Sequence, residues 1–203
     1  EMLSSIRSQT VSVDINPIKH LLSSVRGMNF HRTLQTVNHV CDYNPWGTIT
    51  GRLSTNPNSL PILTMNKEFR ACIKPKNDWL VELDFNAAEL RTLIALTWEE
   101  QPQIDIHEWN RKNIYRNIGS REDAKKRIFA WMYNSKSEDF LSNRAYDKET
   151  VKDKYWDGCK IETDYGRIIE NVDEHHALNY IVQSTTIDMV HEQAYKLYKL
   201  LKG

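Results

Sequence analysis

The chain has 203 residues, 27 of them Lys or Arg and 27 Asp or Glu, for a formal net charge of zero, and 40% are hydrophobic. That length and apolar share allow a real core in one or two globular units and exclude a disordered tail. Balanced charge excludes a global field drawing the chain to nucleic acid or an anionic membrane, so any anion site has to be local. Cys41, Cys72 and Cys159 are odd in number and far apart, with no CxxC pair. This is the pattern of a reduced, cytoplasmic protein whose thiols pack and bind no zinc. No apolar run approaches the roughly 18 residues of a membrane span, which predicts a soluble chain with no membrane partner. The sequence opens at Glu1 and closes in "AYKLYKLLKG", so it reads as a piece of something longer.

Along the chain, residues 17–30 are predicted helical. Residues 35–63, with "NPWG", "TGR" and "NPNSLP", read as loops with short strands. "DWLVELDF" at 78–85 reads as a buried strand and "NAAELRTLIALT" at 86–97 as the helix after it. A turn through Pro102 leads to a helix near 105–118, Gly119 ends it, and Ser120 caps the next. Residues 135–157 read as mixed helix and loop. "KIETDYGRIIEN" is expected to form a hairpin around Tyr165 and Gly166, and a long amphipathic helix to run from about 173 to the end.

The helix "REDAKKRIFAWMYN" at 121–134 carries two stripes. Ala124, Ile128, Trp131 and Met132 are enough to hold it on a core. Beside them Arg121, Lys125, Phe129 and Tyr133 recur every four residues, about 400° of rotation apart, so they form one slowly drifting face. A cation in the first turn opposes the helix dipole. Glu122 and Asp123 relieve the cost, and an anion lying across Arg121 and Lys125 would relieve it further. A solvated basic face with two core aromatics fits the same spacing.

Charge is segregated around this helix. From Asp84 to Glu108 six acidic residues stand against Arg91; from Trp109 to Arg127 seven basic residues stand against Glu122 and Asp123. The two blocks are either salt-bridged to each other or a metal site facing a phosphate site. Asp84 ends an otherwise apolar strand, where a carboxylate is costly unless neutralised; it suits Mg²⁺, and equally the cap of the next helix. In the last helix Asn179 and Gln183 share a face. Two amides there can test the minor-groove acceptors common to all Watson–Crick pairs, or simply be exposed.

Taken in order, "TGRLSTNPNSLP" (50–61), "DFNAAELR" (84–91), "DIH" (105–107), the Arg-x3-Lys-x3-Phe-x3-Tyr helix (121–133) and "ALNYIVQSTTIDM" (177–189) resemble the polymerase domain of family A DNA polymerases, the bacterial repair and phage replicative type. The resemblance covers roughly residues 35–195. It implies an α+β right-hand fold: a thumb remnant at 1–34, an antiparallel palm at 35–98, helical fingers at 99–165 and a return to the palm at 166–203. By the same resemblance Asp84 holds two Mg²⁺ ions with the backbone carbonyl of Phe85, and Glu89 excludes a 2′-hydroxyl. His107, Arg121 and Lys125 cradle the triphosphate, with Lys125 also catalytic. Phe129 and Tyr133 wall the sugar and base, while Arg52, Asn179 and Gln183 read the minor groove at the primer terminus. The implied reaction adds deoxynucleotides from dNTPs to a primer 3′-OH on a DNA template, in a bacterial or phage-infected cytoplasm, with accessory replication proteins as further partners.

Several residues depart from the family pattern. "PNSLP" is shorter than the usual first motif, Ala130 and Asn134 stand where Gly commonly follows the Phe and Tyr, and Ala87 stands where a polar residue is common. The His-Asp motif that carries the second metal carboxylate is missing. "VHEQ" at 190–193 imitates it, but within the helix and too soon after Gln183. The chain alone is therefore expected to be inactive in extension. A related single-subunit RNA polymerase and a non-catalytic nucleic-acid-binding module are the alternatives.

Overall fold

A computed structural model describes residues 1–97 and 100–202. Trp98 and Glu99, where the expected palm–fingers boundary falls and one carboxylate of the acidic block sits, lie outside the described residues, as does Gly203. The architecture is mixed helix and small antiparallel ribbons, an α+β arrangement, in two compact units: Glu1–Leu83 with Leu197–Gly203, and Asp84–Lys196.

The first unit contains α1 (Met2–Arg7), β1 (Ser12–Val13), a 3₁₀ turn (Asn16–Leu21) and α2 (Val25–Thr36). β2 (Tyr43–Asn44), β3 (Ser54–Thr55), a second 3₁₀ turn (Lys67–Cys72) and β4 (Ile73–Lys74) follow. β1 pairs with β4 and β2 with β3, both antiparallel. The helix expected over 17–30 is broken in two. Pro17 starts the 3₁₀ turn, and Ser24 stops it by capping α2, its hydroxyl accepting from Gly27 N at 3.0 Å. Gly27 is required at this junction, because a Cβ there would meet Leu21 O at 2.0 Å. The core of the unit gathers Ile18, Leu34, Leu60, Met65, Phe69 and Cys72, with Phe30 stacked on Phe69.

The predicted strand over 78–85 does not form. It joins no ladder among the described residues, and Trp79, Leu80, Val81, Leu83 and Phe85 are all exposed. An apolar run supplies surface for burial, whereas a strand also needs a neighbour for its N–H and C=O groups. The described strands make three two-stranded ribbons, none of which reaches this segment.

The second unit opens with that segment's last residues and contains α3 (Ala88–Leu96), α4 (Ile106–Asn113), α5 (Arg121–Tyr133), α6 (Phe140–Ala145) and α7 (Lys148–Tyr155). The antiparallel pair β5 (Ile161–Glu162) and β6 (Ile168–Ile169) forms the expected hairpin, turning through Gly166 at φ +76°. α8 (Glu174–Lys202) then runs to the end as expected. The anchoring stripe of α5 is fully packed: Ala124, Ile128, Trp131 and Met132 are at most 2% exposed. α4 is shorter than predicted. It ends when Arg116 and Asn117 turn left-handed and Asn117 N donates back to Arg111 O at 2.8 Å. This exit buries Tyr115, whose hydroxyl lies 2.8 Å from Ser142 Oγ and whose ring carries the Arg127 guanidinium at 4.3 Å. α8 is tied to α3 by a buried Thr186 to Thr92 hydroxyl bond of 2.8 Å.

Candidate functional site

The first turn of α4 and one face of α5 bring most of the expected nucleotide residues together. α5 starts with a full capping box: Ser120 Oγ accepts from Asp123 N, and the Asp123 carboxylate accepts from Ser120 N at 2.8 Å. α4 is capped by Asp105, whose Oδ1 accepts from Glu108 N at 2.8 Å. These two caps set the helix starts that carry His107 and Arg121.

On the shared face, the ring of His107 lies 5.5 Å from that of Phe129, tilted by 59°, and Phe129 stacks on Tyr133 at 5.7 Å with planes within 4°. His107 is buried, and its Nδ1 meets no partner among the described residues. An unmet buried polar atom costs about 1–3 kcal/mol until something bonds it. Burial, then the charges of Arg121 and Lys125, push the His107 pKa below its ordinary value, while Asp105 opposes them in part. The imidazole is therefore neutral at pH 7. Lys125 is exposed and has no ion-pair partner among the described residues. The arrangement is a helix face with cations at the N-terminal end of α5 and stacked rings at the C-terminal end.

Arg121 is the residue whose surroundings the sequence did not disclose. The predicted first-turn cation does meet an anion, and it is the protein's own. Arg121 Nε and Nη2 donate to the two oxygens of Asp105 at 3.1 and 2.7 Å, and Nη1 donates to Glu122 at 2.6 Å. Such forked pairing is the strong geometry for Arg with a carboxylate. It holds the Asp105 carboxyl far below the usual range, with the Glu108 and Asn86 bonds adding to it. Asn86 Nδ2 donates to Asp105 at 2.9 Å, Asn86 Oδ1 accepts from Ile106 N at 3.3 Å, and Arg91 grips Asn86 through its backbone oxygen at 2.9 Å. The signal for this hub was present in the sequence as an Asp one residue before a helix and a lone cation in the next helix's first turn. Of the two readings of the charge blocks, salt-bridging is observed at Asp105–Arg121, Glu108–Arg111 and Glu108–Lys112.

The remaining expected residues sit on other elements. Asn179 and Gln183 sit half-buried on α8, and Gln183 Nε2 donates to Asn179 Oδ1, so the two amides are pre-aligned with each other. Arg52 belongs to the first unit, in the loop after Gly51, where its carbonyl accepts from Thr48 Oγ1 at 2.9 Å. Glu89 is half-buried in the first turn of α3. That helix starts awkwardly: Ala87 is left-handed at φ +49° and offers no capping side chain, a conformation that costs a non-glycine residue about 1–2 kcal/mol.

Asp84 and Phe85 are exposed in irregular backbone before α3. Magnesium in phosphoryl transfer is held by one or two carboxylates together with substrate phosphates, and a two-metal centre needs carboxylates converging on both ions. Among the described residues no three His, Cys, Asp or Glu side chains gather into a ligand set. Glu192 is engaged elsewhere, with Lys196 at 2.5 Å and Tyr165 at 3.3 Å. The described residues therefore gather no full ligand set for a two-metal centre. No helix among the described residues is long and apolar enough to cross a membrane. Compared with family models, curated proteins and solved structures, the chain matches none.

Proposed function

We propose that this chain is the nucleotide-handling part of a template-directed DNA polymerase that adds deoxynucleotides to a primer 3′-OH. The observation that carries the reading is the order of groups along α5 and the start of α4: Arg121 and Lys125, then Phe129 facing His107, then Tyr133 stacked on Phe129. A nucleoside triphosphate has the same order, anionic at one end and flat and apolar at the other. Charge-assisted bonds to phosphate from the cations, with the rings bounding sugar and base, fix the substrate for in-line attack, and phosphoryl transfer depends mainly on such positioning. The paired amides of Asn179 and Gln183 supply what a sequence-blind copying enzyme needs at the primer end, acceptors and donors for the minor groove. Magnesium would supply stabilisation of the attacking and leaving oxygens; Asp84 is the one ligand offered here, and no step is assigned through the metal.

Primer extension tests the reading. The chain of 203 residues alone should not extend a primer measurably, and a version continued by a His-Asp hairpin should do so with dNTPs and Mg²⁺. Asp84→Asn should abolish that activity, and Lys125→Ala should cut it about 10²-fold at low nucleotide, roughly 3 kcal/mol of lost contact and positioning. Primer-independent synthesis from rNTPs would replace the reading with an RNA polymerase. Nucleic-acid binding with no synthesis by any continued version would leave a binding module.

A further inference from the structure

We propose that Asp105 is a latch on Arg121, holding the guanidinium in the resting protein so that a polyphosphate has to displace it to engage the start of α5. The inference rests on the reading of the α4–α5 face as a phosphate site and goes beyond it by naming what the phosphate competes with.

All three guanidinium nitrogens of Arg121 are occupied: Nε and Nη2 by Asp105 at 3.1 and 2.7 Å, Nη1 by Glu122 at 2.6 Å. An anion approaching α5 therefore meets Lys125 first, which has no such partner among the described residues, and gains Arg121 only by exchange. The exchange is asymmetric. Asp105 is fixed from two other sides, by Glu108 N at 2.8 Å and Asn86 Nδ2 at 2.9 Å, and Asn86 is itself gripped by Arg91. When Arg121 swings away, Asp105 stays in place as the cap of α4 with two bonds intact, so release strands no bare carboxylate. Arg121 has no comparable second anchor on its own helix, since Glu122 is its exposed chain neighbour. One partner is built to stay and the other to leave, which distinguishes a latch from a structural strut. The fixed negative charge also opposes an incoming phosphate, so occupancy without the full grip is discouraged.

The test is binding of inorganic triphosphate to the full chain at one fixed ionic strength, because salt screens these half-exposed charges. Asp105→Asn keeps one oxygen for the Glu108 bond that caps α4, gives up the second oxygen that accepts from Asn86, and removes the charge that holds Arg121. It should bind triphosphate about fivefold more tightly, the scale set by a half-exposed ion pair. Asp123→Asn, which removes a nearby charge that caps Ser120 and does not touch Arg121, should change affinity less than twofold. In an Arg121→Gln background the gain from Asp105→Asn should vanish. Asp105→Ser, which retains a capping oxygen on α4, should show the same gain if the Asn variant folds poorly. Unchanged or weaker binding by both Asp105 variants, or an equal gain from Asp123→Asn, overturns the latch while leaving the phosphate site standing. Binding that neither Lys125→Gln nor Arg121→Gln weakens overturns the site and the latch together.

Discussion

Helix α5 and the irregular segment 78–85 carry similar apolar content in opposite surroundings. Ala124, Ile128, Trp131 and Met132 of α5 are sealed into the core of the second unit, whereas Trp79, Val81 and Leu83 stand 74–83% exposed. The helix closes its backbone bonds within itself and needs only one apolar neighbour, while the irregular segment needs another strand to satisfy its backbone. The contrast divides the candidate chemistry. The helix face proposed to hold a nucleotide is self-supporting, and the carboxylate proposed to hold a metal lies on a segment that is not.

The largest expected effect falls on the packed side. Trp131 is fully buried, and its indole N–H donates to Asn143 Oδ1 at 2.5 Å. Trp131→Ala should cost about 3–5 kcal/mol in chemical denaturation. A loss under about 1 kcal/mol would mean that α5 is not the core element described. Next comes pH. His107 is held neutral by burial and by the nearby cations, so its folded pKa lies below its unfolded one. Its stabilising share is complete above pH 6.5 and is lost as pH falls below that, with a slope of at most about 1.4 kcal/mol per pH unit for one proton. Denaturation midpoints measured from pH 7.5 to 5.5 should fall in this direction, and His107→Gln should remove its share while leaving that of His191, whose pKa burial also lowers. The smallest effect belongs to the irregular side. Leu83→Ser should change stability by no more than about 0.5 kcal/mol, since the side chain is already in solvent. A loss of 2 kcal/mol would show that the segment is paired in solution.

Legibility in the sequence follows the same division. The two stripes of α5, its Ser120 cap, the β5–β6 hairpin and the reach of α8 are all set by contacts within a few residues, and spacing alone revealed them. The break in the 17–30 helix hid in Ser24 and Gly27, where a cap and a close backbone approach outweigh helical pattern. The early end of α4 depends on burying Tyr115 against residues 27 positions away, which no local pattern contains. The Asp105–Arg121 pair spans 16 residues. Its partners are individually visible as a cap and an ill-placed cation, and their meeting is a property of how α4 and α5 pack. For 78–85 the apolar run was legible and the missing neighbour was not.

The central claim is that α5 reads a nucleotide lengthwise, phosphates at its start and nucleoside beyond. The most direct measurement is residue-resolved NMR of the chain titrated separately with a dNTP, inorganic triphosphate and the bare deoxynucleoside. The dNTP should perturb Arg121, Lys125, Phe129 and Tyr133 together in one saturable transition; triphosphate should perturb only the two cations, and the nucleoside only the two rings. Saturable dNTP binding that leaves all four residues unmoved, or triphosphate shifts that centre on the rings, would contradict the account.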